Sequence, residues 1–133
     1  MGEINQLKSD EGFKDKIYFC TEGKQTIGYG FNLEAGITQR EAEALLTLRV
    51  SDIRDKLYAM MHWYKSLPED IQDVLLNMAY QLGVSGLLNF TKTLDAASKG
   101  HWHTMADEML DSRWANQTPE RARRLAYRVR GQL

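Results

Sequence analysis

The spacing of apolar residues changes character along the chain. Ile4 and Leu7 stand three apart ahead of Gly12, which predicts a short helix over 4–11 ended by the glycine. Lys16–Cys20 is rich in aromatic and β-branched residues. Thr21-Glu22-Gly23-Lys24 and then Gln25-Thr26-Ile27 follow, a strand, turn and strand pattern. Gly28-Tyr29-Gly30 leads into Phe31-Asn32-Leu33, which predicts a bent third strand in a small antiparallel sheet. The period then switches. Thr38-Gln39-Arg40-Glu41 has the form of a capping box, and Ala42, Leu45, Leu46, Ile53, Leu57, Met60 and Met61 follow at helical spacing. The predicted helix over 39–61 would be about 34 Å long. Trp63–Ser66 interrupts the pattern, and Pro68 suits the first position of a new helix. Ile71, Val74, Leu75, Met78, Ala79 and Leu82 form one face as far as Gly83. Short helical pieces over 86–98, a helix over 101–110, and a last helix with Thr118 as N-cap, Pro119 at N1 and Gly131 at its end complete the chain.

The pattern therefore predicts an α+β architecture: a small sheet, a long helix, and a helical cluster. At 133 residues the chain predicts one domain. Within it we expect a small lobe over 12–38, a connecting helix over 39–61, and a helical lobe over 63–133 on which helix 4–11 is a candidate to pack. Composition is that of a globular protein, with 43% hydrophobic and 26% charged residues. No apolar run approaches the roughly 18 residues that a membrane span needs, and the polar start lacks the apolar core of a signal peptide. The single cysteine, Cys20, excludes an internal disulfide. Charge is unevenly placed. Residues 112–133 carry six arginines against Glu120 alone, a sum of +5, whereas residues 1–111 carry eleven basic and seventeen acidic residues, a sum of −6. A basic end suggests either an anionic partner or a solvated helix face.

Candidate chemistry sits at the hairpin. A turn centred on Gly23 would put Cys20 directly opposite Thr26, on one face, with Cβ atoms about 5 Å apart. A thiol and a hydroxyl so placed could both touch one water. Glu11, in the last turn of its helix, meets the negative end of the macrodipole, which disfavours the ionised carboxylate and suits a general acid. An acid, a water-holding pair and a cleft would serve glycoside hydrolysis. Each residue alone has a plainer reading: a solvated Glu beside a helix-ending Gly, a buried small Cys, a β-forming Thr. His101 and His103 are two apart and do not face one another on a helix, so no metal site is expected there.

Together the residues carry a resemblance. The run SDEGFKDKIYFCTEGKQTIGYG resembles the N-terminal signature of the T-even phage lysozymes: a Glu, eight residues, an Asp or Cys, five residues, then a Thr, here Glu11, Cys20 and Thr26. NMAYQLG (77–83), NFTKTL and SRWANQTPERARR (112–124) continue it over nearly the whole chain, with a shorter segment between Leu33 and Thr38. The resemblance implies a two-lobed α+β muramidase, with substrate between the lobes, cleaving the β-1,4 bond between N-acetylmuramic acid and N-acetylglucosamine in peptidoglycan. It implies that Glu11 protonates the leaving oxygen, that Cys20 stands where many relatives have a general-base Asp, and that Thr26 helps hold the attacking water. Arg121 matches the arginine paired with the catalytic Glu, a contact that favours the ionised carboxylate and so opposes the helix end. Glu22 and Arg113 match a polar pair across the cleft. Asn32, Tyr80, Gln81 and Thr93 match positions lining the saccharide groove, as does Glu108, which departs from a neutral amide. The expected protein is a monomer with no cofactor, acting on glycan strands, not nucleic acid or membrane. It would be made in the host cytoplasm and act on the periplasmic wall after release.

Cys20 leaves the mechanism open. A free thiol is about 3% thiolate at pH 7, so it is a poor resting base compared with Asp. It could orient water as a neutral group, act as a thiolate base, or attack the sugar covalently. Since the family pattern admits Cys, the first two, with inversion at the anomeric carbon, are favoured. Two other functions remain: a wall-binding protein with this fold but little or no catalysis, and nucleic-acid binding through the arginines after Pro119, for which no recognition module is legible.

Overall fold

The computed structural model describes residues 2–132. In chain order it contains α1 (Gly2–Glu11), β1 (Lys14–Phe19), β2 (Gln25–Gly28), β3 (Phe31–Asn32), α2 (Gln39–Met60), α3 (Glu69–Leu88), α4 (Thr91–Ser98), α5 (Trp102–Leu110), α6 (Arg113–Gln117) and α7 (Pro119–Arg130). Single 3-10 turns occupy Leu33–Ala35 and Tyr64–Ser66. The fold is α+β, with a three-stranded antiparallel sheet in the order β1-β2-β3. No described helix is long and apolar enough to cross a membrane. The chain divides into two compact units, unit 1 over Met1–Leu45 and unit 2 over Leu46–Leu133.

Unit 1 is shaped by turns and hydrogen bonds. Gly12, at φ +70°, ends α1 by donating its N–H to the Lys8 carbonyl at 2.9 Å. The hairpin between β1 and β2 corrects the expected register. Thr26 pairs with Tyr18, and Phe19 with Gln25, so Cys20 is not the partner of Thr26. The cause is loop length. Gly23 donates to the Cys20 carbonyl at 2.9 Å and Cys20 donates to the Lys24 carbonyl at 3.0 Å, with Gly23 at φ +78°. That is a three-residue loop, Thr21-Glu22-Gly23, with glycine in the left-handed position, and its centre is Glu22 instead of Gly23. The displacement is two residues along β1, so side-chain parity is kept, and Cys20 remains on the Thr26 face as a diagonal neighbour. A bulge follows between Lys14 and Tyr18. The capping box forms as expected: Thr38 N–H donates to Glu41 Oε1 at 2.8 Å, and Glu41 N–H donates to Thr38 Oγ1 at 3.1 Å.

Unit 2 holds the core. Leu57, Ile71, Val74, Leu75, Met78, Leu87, Met105, Met109 and Val129 are all fully buried, drawn from α2, α3, α5 and α7. Tyr64 is buried with them and donates to the Gln72 carbonyl at 2.6 Å, and burial pushes its phenol well above the ordinary range. Three local expectations are revised. Pro68 is the N-cap of α3, not its first residue. Gly83, at φ +79°, does interrupt the helix, but helical structure resumes to Leu88. Thr118 precedes Pro119 without capping α7 through its side chain; its hydroxyl donates instead to the Trp114 carbonyl at 3.0 Å, closing α6. α6 itself was not foreseen; Ser112 caps it by accepting from Ala115 N–H at 3.1 Å. The arginines of α7 are largely engaged with acids: Arg123 with Glu120, Arg128 with Asp70 and Asp73 at 2.8 and 3.6 Å, and Arg130 with Asp107 at 2.7 Å.

Candidate active site

Three of the residues singled out for chemistry belong to unit 1. Glu11 is the last residue of α1 and is exposed. Its carboxyl lies against Gly30: a Cβ built there would stand 3.0 Å from Glu11 Cδ and 3.6 Å from Cγ. Cys20, half-buried, follows β1, and Thr26, 3% exposed, is in β2. The backbone amides of Lys24 and Glu22, and after them the Thr26 side chain, favour the ionised form of the Cys20 thiol. The Lys24 amide contributes most, followed by that of Glu22. Together with that side chain they hold the thiol pKa below its ordinary value, against partial desolvation and the Glu22 carboxylate. The Thr26 hydroxyl donates to the Lys24 carbonyl at 2.8 Å, which leaves its oxygen free to accept.

The sheet extends this face. Thr26 pairs with Asn32 of β3, so Tyr18, Thr26 and Asn32 form one row, with Cys20 diagonal to it. Asn32 Oδ1 accepts from Glu34 N–H at 3.0 Å, which starts the 3-10 turn, and Glu34 in turn accepts from Gln25 N–H at 2.9 Å. Glu22 is exposed in the middle of the hairpin loop. Sequence reasoning did not single out Gly30 or the Glu22 and Lys24 amides. The alternating glycines of 28–30 signalled the first, whereas the amides follow from a loop length that the sequence reading misjudged.

The remaining candidates belong to unit 2. Thr93 of α4, Glu108 of α5 and Arg113 of α6 line one open cavity of about 490 Å³, with Phe90, Lys92, Asp111 and Trp114. Thr93 is buried, Glu108 half-buried and Arg113 exposed. Gln81 is tied to this wall because the Trp114 indole N–H donates to its Oε1 at 2.9 Å. Tyr80, 44% exposed, lines a different cavity of about 360 Å³ with Val50, Asn77 and Arg121. Arg121 is half-buried, its Nε donating to Asn77 Oδ1 at 2.9 Å and a terminal nitrogen to the Asn77 carbonyl at 3.3 Å. The α3 surface thus presets the guanidinium. Lys92 and Asp111 add opposite charges to the first cavity and were not among the sequence candidates.

Comparison with known proteins settles the family. The phage lysozyme family profile matches residues 8–130. The chain belongs to the phage lysozyme family. It is similar to "Probable T4-type lysozyme 1" of Dictyostelium discoideum, 29% identical over 151 residues, 91% of this chain and 89% of that protein. It is also similar to the pre-baseplate central spike protein Gp5 of Enterobacteria phage T4, 27% identical over 94% of this chain but only 27% of that protein. The endolysin of Acyrthosiphon pisum secondary endosymbiont phage 1 is 29% identical over 64% of this chain and 60% of its own length. Membership in the phage lysozyme family makes this a lysozyme-type glycoside hydrolase acting on peptidoglycan.

Proposed function

We propose that the protein is a muramidase that cleaves the β-1,4 bond between N-acetylmuramic acid and N-acetylglucosamine with inversion at the anomeric carbon. The observation that carries the reading is the sheet face on which Cys20 and Thr26 converge in the same unit as the Glu11 carboxyl. Glu11, protonated, gives its proton to the glycosidic oxygen as the bond to the anomeric carbon breaks. A water held by Cys20 and Thr26 attacks that carbon from the opposite side and loses its proton to the Cys20 thiolate. Solvent then carries the proton from sulfur back to the carboxylate, restoring both groups. The amides beside the sulfur favour its thiolate form, the form that the base role requires, while the neutral thiol would orient the same water.

Glu22, Asn32, Tyr80, Gln81, Thr93, Glu108 and Arg113 are assigned to the glycan, and Arg121 to the partnership with Glu11. The protein would act as a monomer on glycan strands, without a cofactor, once it has reached the wall. Release of reducing ends from purified peptidoglycan tests the activity. Glu11→Gln should lower the rate by at least about 100-fold. Cys20→Asp should stay active, and alkylation of Cys20 should abolish activity. NMR of the first product anomer should show inversion; retention would instead indicate a covalent sugar–sulfur intermediate. Wall binding without any reducing-end release would mark a non-catalytic wall-binding protein.

A further inference from the structure

We infer that Gly30 and the ring pair Phe13–Tyr29 form a seat that fixes where the Glu11 carboxyl stands, with Gly30 as its floor and the two rings as its clamp. The inference rests on Glu11 being the acid of the muramidase reading. An acid on the terminal residue of a helix has several rotatable bonds and, on an exposed surface, many positions. Here the position is limited from two directions. The Glu11 side chain fills the space that a residue-30 side chain would occupy, with Cδ 3.0 Å from an added Cβ. Phe13, two residues after Glu11, packs on Tyr29, one residue before Gly30, with ring centroids 5.6 Å apart and planes at 50°. The rings therefore tie the chain leaving α1 to the turn that carries the floor.

The other glycines of unit 1 show what is particular about Gly30. Gly12, Gly23 and Gly36 also have positive φ, but an added Cβ there would meet nothing within 4 Å, so backbone conformation alone requires glycine. Gly28, at φ +67°, would meet the Phe31 ring at 2.7 Å and not the acid. Gly30, at φ +73°, is needed both for its conformation and for the carboxyl it accommodates. A displacement of about 1 Å in a reacting group can cost about 100-fold in rate. Gly30, Phe13 and Tyr29 are thus positioning residues for the acid.

Gly28→Ala and Gly30→Ala form a matched test, because their φ values and hence their backbone strain are alike. On purified peptidoglycan, Gly30→Ala should lower kcat about 100-fold with KM within about threefold, whereas Gly28→Ala should keep kcat within about threefold. Phe13→Leu and Tyr29→Leu should each lower kcat about tenfold, and the double variant little more, since either change opens the same clamp. An NMR contact between the Glu11 γ-protons and the Gly30 α-protons should be present in the natural protein and lost in Phe13→Leu. Equal kcat losses in the two glycine variants at matched melting temperature would overturn the seat, as would absence of that contact in the natural protein. Should Gly30→Ala not fold, the ring variants and the NMR contact decide. Should the natural protein release no reducing ends, the muramidase reading fails, and the NMR contact still decides whether the seat exists.

Discussion

The two units are built by different means. Every buried hydrophobic residue in the described chain lies at Leu57 or beyond, whereas the buried residues among those described in unit 1 are Thr26 and Gly28. Nine of the fourteen exposed large hydrophobics, among them Phe13, Ile17, Phe19 and Ile37, fall within the first 45 residues. Unit 2 gains its stability from apolar burial, and unit 1 from turn geometry, a capping box and the backbone ladder of a small sheet. The proposed acid and water-holding pair stand in the unit with little core. Local hydrogen bonds are therefore enough to place reactive groups, and such segments lie at the low end of local stability.

The sharpest way to break this contrast is a paired truncation. Ile71→Ala, at a fully buried position of α3, should cost about 2–5 kcal/mol. Ile17→Ala, 58% exposed on β1, should stay within about 0.5 kcal/mol. Urea unfolding measures both, and equal losses would show that unit 1 has apolar packing after all. Thr38→Ala should cost about 1 kcal/mol by removing the hydroxyl half of the capping box at the start of α2. The smallest effect is acid sensitivity. The Thr38 amide holds the Glu41 carboxyl below its ordinary value, and Arg128 does the same for Asp70. Both contributions are complete above about pH 4 and are lost as pH falls through the depressed folded values. Stability should therefore decline on acidification below about pH 4. Glu41→Gln should remove the Glu41 share of that decline and leave the Asp70 share, which a pH series of melting temperatures would resolve.

Much of this was legible from spacing. The capping box marked the start of α2, the α3 face from Ile71 to Leu82 was read correctly, and the small sheet followed from its aromatic and β-branched runs. What escaped was geometry set by single hydrogen bonds. Gly23 looked like the centre of the hairpin, yet glycine in the left-handed position closes a three-residue loop, which moves the centre to Glu22 and the Thr26 partner to Tyr18. The Cys20 and Thr26 face survived because the displacement was an even number of residues. Thr118 looked like a cap, but its hydroxyl found the nearer Trp114 carbonyl, closing a five-residue helix too short to leave a periodic signal. The Gly30 seat depends on where α1 ends in space relative to the turn, which no linear pattern records.

The arginines of α7 bear on how the protein would meet a polyanion. Among the described residues, three of the six basic side chains after residue 111 meet acids within the fold, on Glu120, Asp70 with Asp73, and Asp107. The counterions that a polymer sheds on binding are counted by the cations actually free to replace them. Attachment of a polyanion through this end would thus follow added salt with a slope well below that of six charges.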